Sequence, residues 1–105
     1  MAVDFGKRES ILSAIEAECR QQEEEWGDNA ERTNQSPELW LVILVEEVGE
    51  VAKEVCEIWN GRGSTSDLRM ELGQVAAVAI SWIEASAIHD RQQGRADHPK
   101  LFGGE

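Results

Sequence analysis

The sequence predicts an all-α fold of three long helices, with helices 2 and 3 forming an antiparallel hairpin. Apolar residues recur at intervals of three and four along three segments of the 105-residue chain. No segment alternates with period two for long enough to predict a strand. A chain of this length is expected to form one domain, because a second hydrophobic core would need more residues. Residues 95–105 contain proline and two glycines, and they predict a loop-like tail.

The first helix is predicted over residues 6–26, and Gly27 is a natural C-terminal stop. Residues 27–35 are polar and predict a loop. One side of the helix is rich in Glu, Gln and Arg. The other side carries the apolar residues Ile11, Leu12, Ile15, Cys19 and Trp26.

The second helix has the clearest start signal in the chain. Ser36 can cap it, Pro37 fits the first helical position without losing a hydrogen bond, and Glu38 favours the positive end of the dipole. The pair Asn60-Gly61 predicts its end. A continuous apolar stripe runs along it, formed by Leu41, Leu44, Val45, Val48, Val51, Ala52, Val55 and Trp59.

The third helix is predicted to begin with Ser66 or Asp67 as its cap and to end near Arg91. The preceding loop, residues 61–66, is short, so this helix should return antiparallel to the second. Residues 75–83 are apolar nearly all round the helix, which is typical of a helix buried on several sides. Three helices cannot easily surround it, so we expect helices 2 and 3 to pack against a partner subunit in a homodimer or homotetramer.

The overall charge limits the classes of partner. The formal net charge is −11, with 21 acidic and 10 basic residues, which argues against a nucleic acid polymer or an anionic membrane. A phosphate-bearing substrate is still compatible, because bound divalent cations can reverse the local charge. Residues 1–10 have no signal-peptide core, and the apolar run 75–83 is too short to span a bilayer. We therefore expect a cytoplasmic protein, with Cys19 and Cys56 reduced, although a disulfide between them is geometrically possible.

Glutamates line the polar side of the second helix. The pairs Glu46/Glu50 and Glu47/Glu50 are like charges at i,i+4 and i,i+3, which destabilise a helix unless a cation compensates. Lys53 is the only basic residue close enough in sequence to help. A solvated acidic face is the alternative interpretation. Glu47 lies between the two faces of the helix, and the polar side consists of Glu46, Glu50, Glu54 and Glu57.

The third helix carries Glu71 on the side expected to face the core. A buried lone carboxylate is costly, and such groups are normally paired, protonated or bound to metal. A structural salt bridge with Arg69 or Arg62 is one alternative. Carboxylates that converge from two helices would instead suit Mg²⁺ or Mn²⁺. The apolar residues on the same side as Glu71 are Leu68, Val75, Val78 and Trp82.

The run Glu46-Glu47-Val48-Gly49-Glu50, followed at a helix-loop-helix distance by Glu71, resembles the MazG-like branch of the all-α nucleoside triphosphate pyrophosphatases. The pattern of that family is EExxE on one helix and ExxD on the next. The resemblance also covers residues 23–27, 40–52 and 70–84, and so most of the chain. It implies a single MazG-like domain over residues 1–105 that hydrolyses nucleoside triphosphates between the α- and β-phosphates, giving monophosphate and pyrophosphate.

The resemblance also implies the roles of the acidic residues. Glu47, Glu50 and Glu71 would be the main Mg²⁺ or Mn²⁺ ligands, with Glu46 a further ligand or the base that orients the attacking water. The chain departs from the family at Gln74, where the motif has aspartate. An amide oxygen can still ligate Mg²⁺, but it brings no charge and cannot act as a base.

The four tryptophans are candidates for base binding or for the core. Trp26 and Trp40 flank the polar loop, which in this family helps to shape the base pocket together with the first helix. Either ring could stack on a nucleobase, and core packing is the alternative for both. Trp59 and Trp82 lie on apolar stripes and are assigned to the core. Further substrate-binding candidates are Lys53 and Arg69 for phosphate oxygens and Asn34 and Gln21 for the base edge.

Taken together, these features predict a Mg²⁺-dependent nucleoside triphosphate pyrophosphohydrolase that removes unwanted nucleotides. A non-catalytic helical protein-binding module and a nucleotide sensor on the same fold are the alternatives. Gln74 favours those alternatives, whereas the retained Glu46, Glu47, Glu50 and Glu71 favour the enzyme.

Overall fold

The computed structural model describes residues 3–95 of the chain. It contains three helices, α1 (Arg8–Trp26), α2 (Pro37–Trp59) and α3 (Thr65–Gln92), and no strand within this range. The prediction of an all-α fold with three long helices is confirmed. The predicted tail lies outside the described residues except for Arg95.

The helix boundaries follow from local capping. The Oγ atom of Ser36 accepts the backbone N–H of Leu39 at 3.2 Å, and Pro37 is the first residue of α2, as predicted. The helix α1 ends at Trp26, and Gly27 is its C-cap. Gly27 has a φ of 108°, which favours glycine, and its N–H donates to the Glu23 carbonyl.

Two predicted starts differ from the structure. The helix α1 begins at Arg8 rather than at residue 6, because the backbone N–H of Lys7 donates to Asp4 in a turn that precedes it. The cap of α3 is Ser64, rather than either predicted residue. Its Oγ accepts the N–H of Asp67 at 3.0 Å, so the helix starts at Thr65.

The helix α3 lies at the centre of the fold. Both α1 and α2 pack against it, and they do not pack directly on each other within residues 3–95. Near one end, the rings of Trp40 and Trp82 stack with centroids 6.3 Å apart. At the turn between α2 and α3, a carboxylate oxygen of Glu54 accepts the backbone N–H of Ser64 at 3.1 Å. These contacts hold α2 along the length of α3.

The core of the single chain is small. Trp40, Val78 and Ala85 form its buried cluster. The partly buried side chains of Ile43, Leu44 and Trp82 pack against that cluster, and Trp82 therefore belongs to the core as predicted. Of the two cysteines, both free thiols, Cys19 is buried and Cys56 is exposed.

Much of the apolar stripe of α2 faces away from α3. Trp59 is 87% exposed, so its assignment to the core is wrong for the single chain. The reason is that α2 turns a different side toward α3, the side that carries Trp40, Ile43 and Glu47. The exposed large side chains of the stripe are Leu41, Val45, Val48, Val55 and Trp59.

The helix α3 is also the one helix among residues 3–95 whose length and composition would allow it to cross a membrane. The central helix of a water-soluble bundle meets the same criterion. The cytoplasmic location therefore stays a prediction.

Candidate functional site

Carboxylates from two helices meet at Gln74. With the amide oriented as its hydrogen-bonding neighbours require, Gln74 Nε2 donates to Glu47 Oε2 at 3.2 Å and to Glu71 Oε2 at 3.1 Å. Glu47 belongs to α2 and Glu71 to α3, so carboxylate oxygens from two helices share one donor. This arrangement arises because the edge of the acidic side of α2, at Glu47, is turned toward α3.

Negative charge is concentrated at this point. Burial raises the pKa of Glu47 above its ordinary 4.5, and the charges of Glu71 and Glu50 raise it further. Burial also raises the pKa of Glu71, with Glu50 and Glu54 the next largest causes. Glu50 therefore acts on both carboxylates. The side chains repel one another, and the repulsion would be relieved by a cation.

The chemistry of these side chains fits a divalent cation. Mg²⁺ and Mn²⁺ prefer carboxylate and carbonyl oxygens. Glu47 and Glu71 offer carboxylates beside the amide of Gln74, and the charge of Glu50 acts on both. As the side chains stand, no three Asp, Glu, His or Cys side chains among residues 3–95 are grouped closely enough to enclose an ion. Holding a metal here would require Gln74 to turn its oxygen, rather than its nitrogen, toward the two carboxylates.

A cavity of about 130 Å³ adjoins the carboxylates. It brings Trp26 and Trp40 together with Glu46 and Glu47, which joins the predicted base-binding residues to the predicted metal-binding residues. Trp26 is 67% exposed at its rim, whereas Trp40 is 2% exposed and belongs to the core. The cavity is lined by Gln22, Trp26, Arg32, Trp40, Ile43, Glu46, Glu47 and Val78.

Other predicted substrate-binding residues lie elsewhere. Gln21, Asn34 and Lys53 are exposed and do not line this cavity. The charge of Lys53 does reach Glu71, whose pKa it lowers against the larger causes that raise it. Arg69 lies over the ring of Phe5, with its guanidinium carbon 5.0 Å from the ring centroid.

A second and larger cavity, of about 350 Å³, lies between the first halves of α1 and α3. Its walls are mostly apolar, with Phe5, Ile15 and Met70 among them. Arg69 and Gln74 also line it, so this cavity too borders the residue that joins the two carboxylates.

Three further residues of the site were not predicted from the sequence. Arg32 lies over Trp40, with its guanidinium carbon 4.2 Å from the ring centroid. Gln22 lines the smaller cavity in place of the predicted Gln21. Glu18 on α1 adds to the charges that raise the pKa of Glu47, and it accepts a hydrogen bond from Gln22 at 3.4 Å. A signal for Arg32 was present, since it is the only basic residue between Trp26 and Trp40.

The loop that carries Arg32 is tied to two helices through Asn29. This side chain is 3% exposed, and its Nδ2 donates to Glu84 Oε1 of α3 at 2.7 Å. The backbone N–H of Asn29 donates to Glu23 Oε2 of α1 at 3.2 Å. A hydrogen bond to a carboxylate is among the stronger kinds, so Asn29 fixes the loop beside the cavity.

Comparison with known proteins gave no match to the chain. No protein-family model, no curated protein and no solved structure matched it. The function proposed below is therefore inferred from the residues of the site and from the sequence motif that they form.

Proposed function

We propose that this chain is a Mg²⁺-dependent nucleoside triphosphate pyrophosphohydrolase of the MazG-like kind. It would cleave ribo- and deoxynucleoside triphosphates between the α- and β-phosphates and serve to remove unwanted nucleotides, with Mn²⁺ able to replace Mg²⁺. The observation that carries the proposal is the meeting of Glu47 and Glu71 at Gln74, next to a cavity that also contains Trp26 and Glu46.

The acidic residues hold the metal and the water. Glu47, Glu50 and Glu71 would supply carboxylate ligands to the metal, and Gln74 would present its amide oxygen. When bound, a divalent ion would neutralise the polyphosphate and lower the pKa of water. Glu46, exposed at the cavity, orients the attacking water and takes its proton. The water oxygen bonds to the α-phosphorus, the bond from that phosphorus to the bridging oxygen breaks, and pyrophosphate leaves.

The remaining residues of the cavity bind the base. Trp26 offers a large exposed ring at the rim on which a nucleobase can stack. Trp40 supplies the buried floor of the same cavity. Lys53 and Arg69 lie outside the cavity and are proposed only as contacts for the outer phosphates.

The assembly that we propose is a cytoplasmic homodimer or homotetramer. In each chain α2 and α3 form an antiparallel hairpin, and the exposed apolar stripe of α2 packs against a partner subunit. The net charge of −11 disfavours a nucleic acid polymer or an anionic membrane as a partner.

A non-catalytic module or a nucleotide sensor is the second candidate. It is favoured by Gln74, whose amide nitrogen satisfies both carboxylates without a metal. A site that is stable in this state does not need to bind a cation in order to fold. A measurement of substrate turnover distinguishes the non-catalytic module or sensor from the enzyme.

The test is pyrophosphate release from a panel of ordinary and modified ribo- and deoxynucleoside triphosphates, with Mg²⁺ or Mn²⁺. We expect turnover by the wild type and a loss of at least about 10- to 100-fold in Glu50→Gln, the range found when groups that only support a metal ligand are removed. Glu24→Gln, an exposed change on α1, is the matched control and should keep full activity.

Absence of turnover on every substrate with both metals, in folded wild-type protein, would overturn the hydrolase proposal. The non-catalytic module or the sensor would then be the better account.

A further inference from the structure

The guanidinium of Arg32 is held against an aromatic core. Its carbon lies 4.2 Å from the ring centroid of Trp40, and Trp40 in turn stacks on Trp82 with 5° between the ring planes. A guanidinium on an aromatic face gains cation–π energy and loses side-chain freedom. Arg32 is therefore a cation in a defined position at the wall of the cavity.

Most of the donors of Arg32 are not used within the described part of the chain. Arginine has five N–H donors, and here Nε donates to Gln35 Oε1 at a long 3.3 Å. No ion pair links Arg32 to a carboxylate among residues 3–95. Glu23 acts on it electrostatically, but the hydrogen bond that Glu23 accepts comes from the backbone of Asn29.

Burial without an ion pair carries an electrostatic cost. Burial lowers the pKa of Arg32, because the charged form is separated from water, and the charge of Glu23 only partly opposes this. A cation in such a place, with four free donors at a cavity wall, is suited to bind a ligand with acceptor atoms.

The position of Arg32 favours a contact with the base of a nucleotide rather than with its phosphates. In the proposed function, the phosphates bind the metal at Glu47 and Glu71. Gln74, which contacts both carboxylates, gives the position of this site along α3. Trp82, beside Trp40, lies eight residues farther along α3, or roughly 12 Å at the rise of an α-helix. Trp40, over which Arg32 lies, is also seven residues before Glu47 on α2, or roughly 10 Å. With the phosphates at the carboxylates, Arg32 would lie beyond the sugar, next to the base.

The guanidinium fork is selective among bases. Its two parallel N–H groups need two adjacent acceptors, as in the arginine contact with O6 and N7 of guanine. Cytosine offers O2 and N3 side by side. In adenine the acceptor N7 lies next to an amino donor, and in thymine and uracil an N–H separates the two carbonyls.

We propose that Arg32 determines specificity by binding the base edge, so that guanine and cytosine nucleotides are preferred over adenine, thymine and uracil nucleotides. This inference rests on the proposed function, because it assumes that the base of a nucleotide occupies the cavity with Trp26.

The experiment measures dissociation constants of dGMP, dCMP, dAMP and dTMP by calorimetry without added metal, and kcat/KM for the four triphosphates. The wild type should prefer the guanine and cytosine forms by roughly 5- to 150-fold. Arg32→Gln should bring all four affinities close together, while a thermal melt confirms that it is folded. Arg32→Lys keeps the charge but lacks the fork, so it should lose the preference as well.

The ratio among bases is the decisive quantity, since a merely structural role would weaken all four nucleotides alike. Equal wild-type affinities, no binding of any monophosphate, an equal loss for all four in Arg32→Gln, or a preference that persists in Arg32→Gln would each overturn the inference. Preferential binding without triphosphate turnover would support the role of Arg32 in base specificity and overturn the hydrolase proposal. Turnover without base preference would overturn the role of Arg32 alone.

Discussion

The identity of the side chain at position 74 sets the net charge of the candidate site, because Gln74 is neutral and contacts two carboxylates. Its amide nitrogen donates to Glu47 and Glu71, so a neutral group joins two carboxylates that would otherwise repel each other. An amide can also present its oxygen, which would suit a bound cation. An aspartate at this position could only present oxygen atoms to a cation, because an ionised carboxylate has no hydrogen-bond donor.

The pH dependence of the site has a definite sign. Glu47 and Glu71 have pKa values raised above the ordinary 4.5, chiefly by burial. A carboxyl group with a raised folded pKa contributes stability that is fully present below its unfolded pKa and is lost as pH rises through the folded value. The metal-free site therefore becomes less favourable from about pH 4.5 upward, and a bound cation should offset that loss.

From this we predict that Gln74→Asp destabilises the metal-free protein at pH 7. Two hydrogen bonds to charged groups are lost and a third carboxylate is added, at a cost of roughly 1–3 kcal/mol in the free energy of unfolding. The deficit should shrink as pH falls below 4.5, and Mg²⁺ should raise the melting temperature of this variant more than that of the wild type.

Thermal melts at several pH values, with and without Mg²⁺, provide the measurement. Gln21→Asp on the exposed side of α1 controls for the lower helix propensity of aspartate. A deficit that is independent of pH and unaffected by Mg²⁺ would show that position 74 does not join the carboxylates.

At the scale of elements, the turn between α2 and α3 sets how the two helices meet. The Glu57 carbonyl accepts the backbone N–H groups of Arg62 and Gly63, and the Glu54 carboxylate accepts that of Ser64. A Cβ atom at position 63 would come within 2.9 Å of the backbone nitrogen of Ile58. The close approach requires glycine there.

We therefore expect Gly63→Ala to destabilise the protein by about 1–3 kcal/mol, the usual cost of overpacking a close contact. Chemical denaturation measures the change. Gly73→Ala is the matched control, because a methyl group at this position of α3 would meet nothing within 4 Å and alanine favours a helix by up to about 1 kcal/mol. Equal stabilities of the two variants would contradict the importance of the turn.

At the scale of the whole molecule, the single chain leaves many of its large apolar side chains exposed. Leu41, Val45, Val48 and Val55 are each about half-exposed on α2, and Trp59 is almost fully exposed. Their spacing forms one continuous stripe rather than scattered residues. Contiguous apolar surface of this kind typically marks an interaction site, and we expect a subunit interface here.

The corresponding prediction is that the wild type sediments as a dimer or tetramer and that Val48→Glu shifts it toward the monomer. A charge in the middle of an apolar interface cannot be solvated when the subunits associate. Analytical ultracentrifugation measures the shift. Leu12→Glu, which places the same charge on an exposed apolar position of α1, should leave the assembly intact. A monomeric wild type would overturn the prediction.

Local features of the sequence are enough to predict the helices. The apolar periodicity predicts all three, and Ser36-Pro37 predicts the start of α2, because caps and turns depend on neighbours a few residues away. The spacing between the glutamates of α2 and Glu71 similarly indicates that they would meet, since a short loop brings consecutive helices together. The predicted cap of α3 is wrong because serine, threonine and aspartate candidates lie within four residues of one another.

Only the tertiary structure decided which side of α2 faces α3. Periodicity shows that the helix has an apolar side and an acidic side, but it does not say which neighbour covers each. The stripe predicts a core position for Trp59, which is instead exposed. The contact of Arg32 with Trp40 also could not be predicted, because it joins a loop to a helix through long-range packing. The sequence by itself therefore determined the helices and the acidic residues of the candidate site, whereas packing between distant segments determined which other residues surround them.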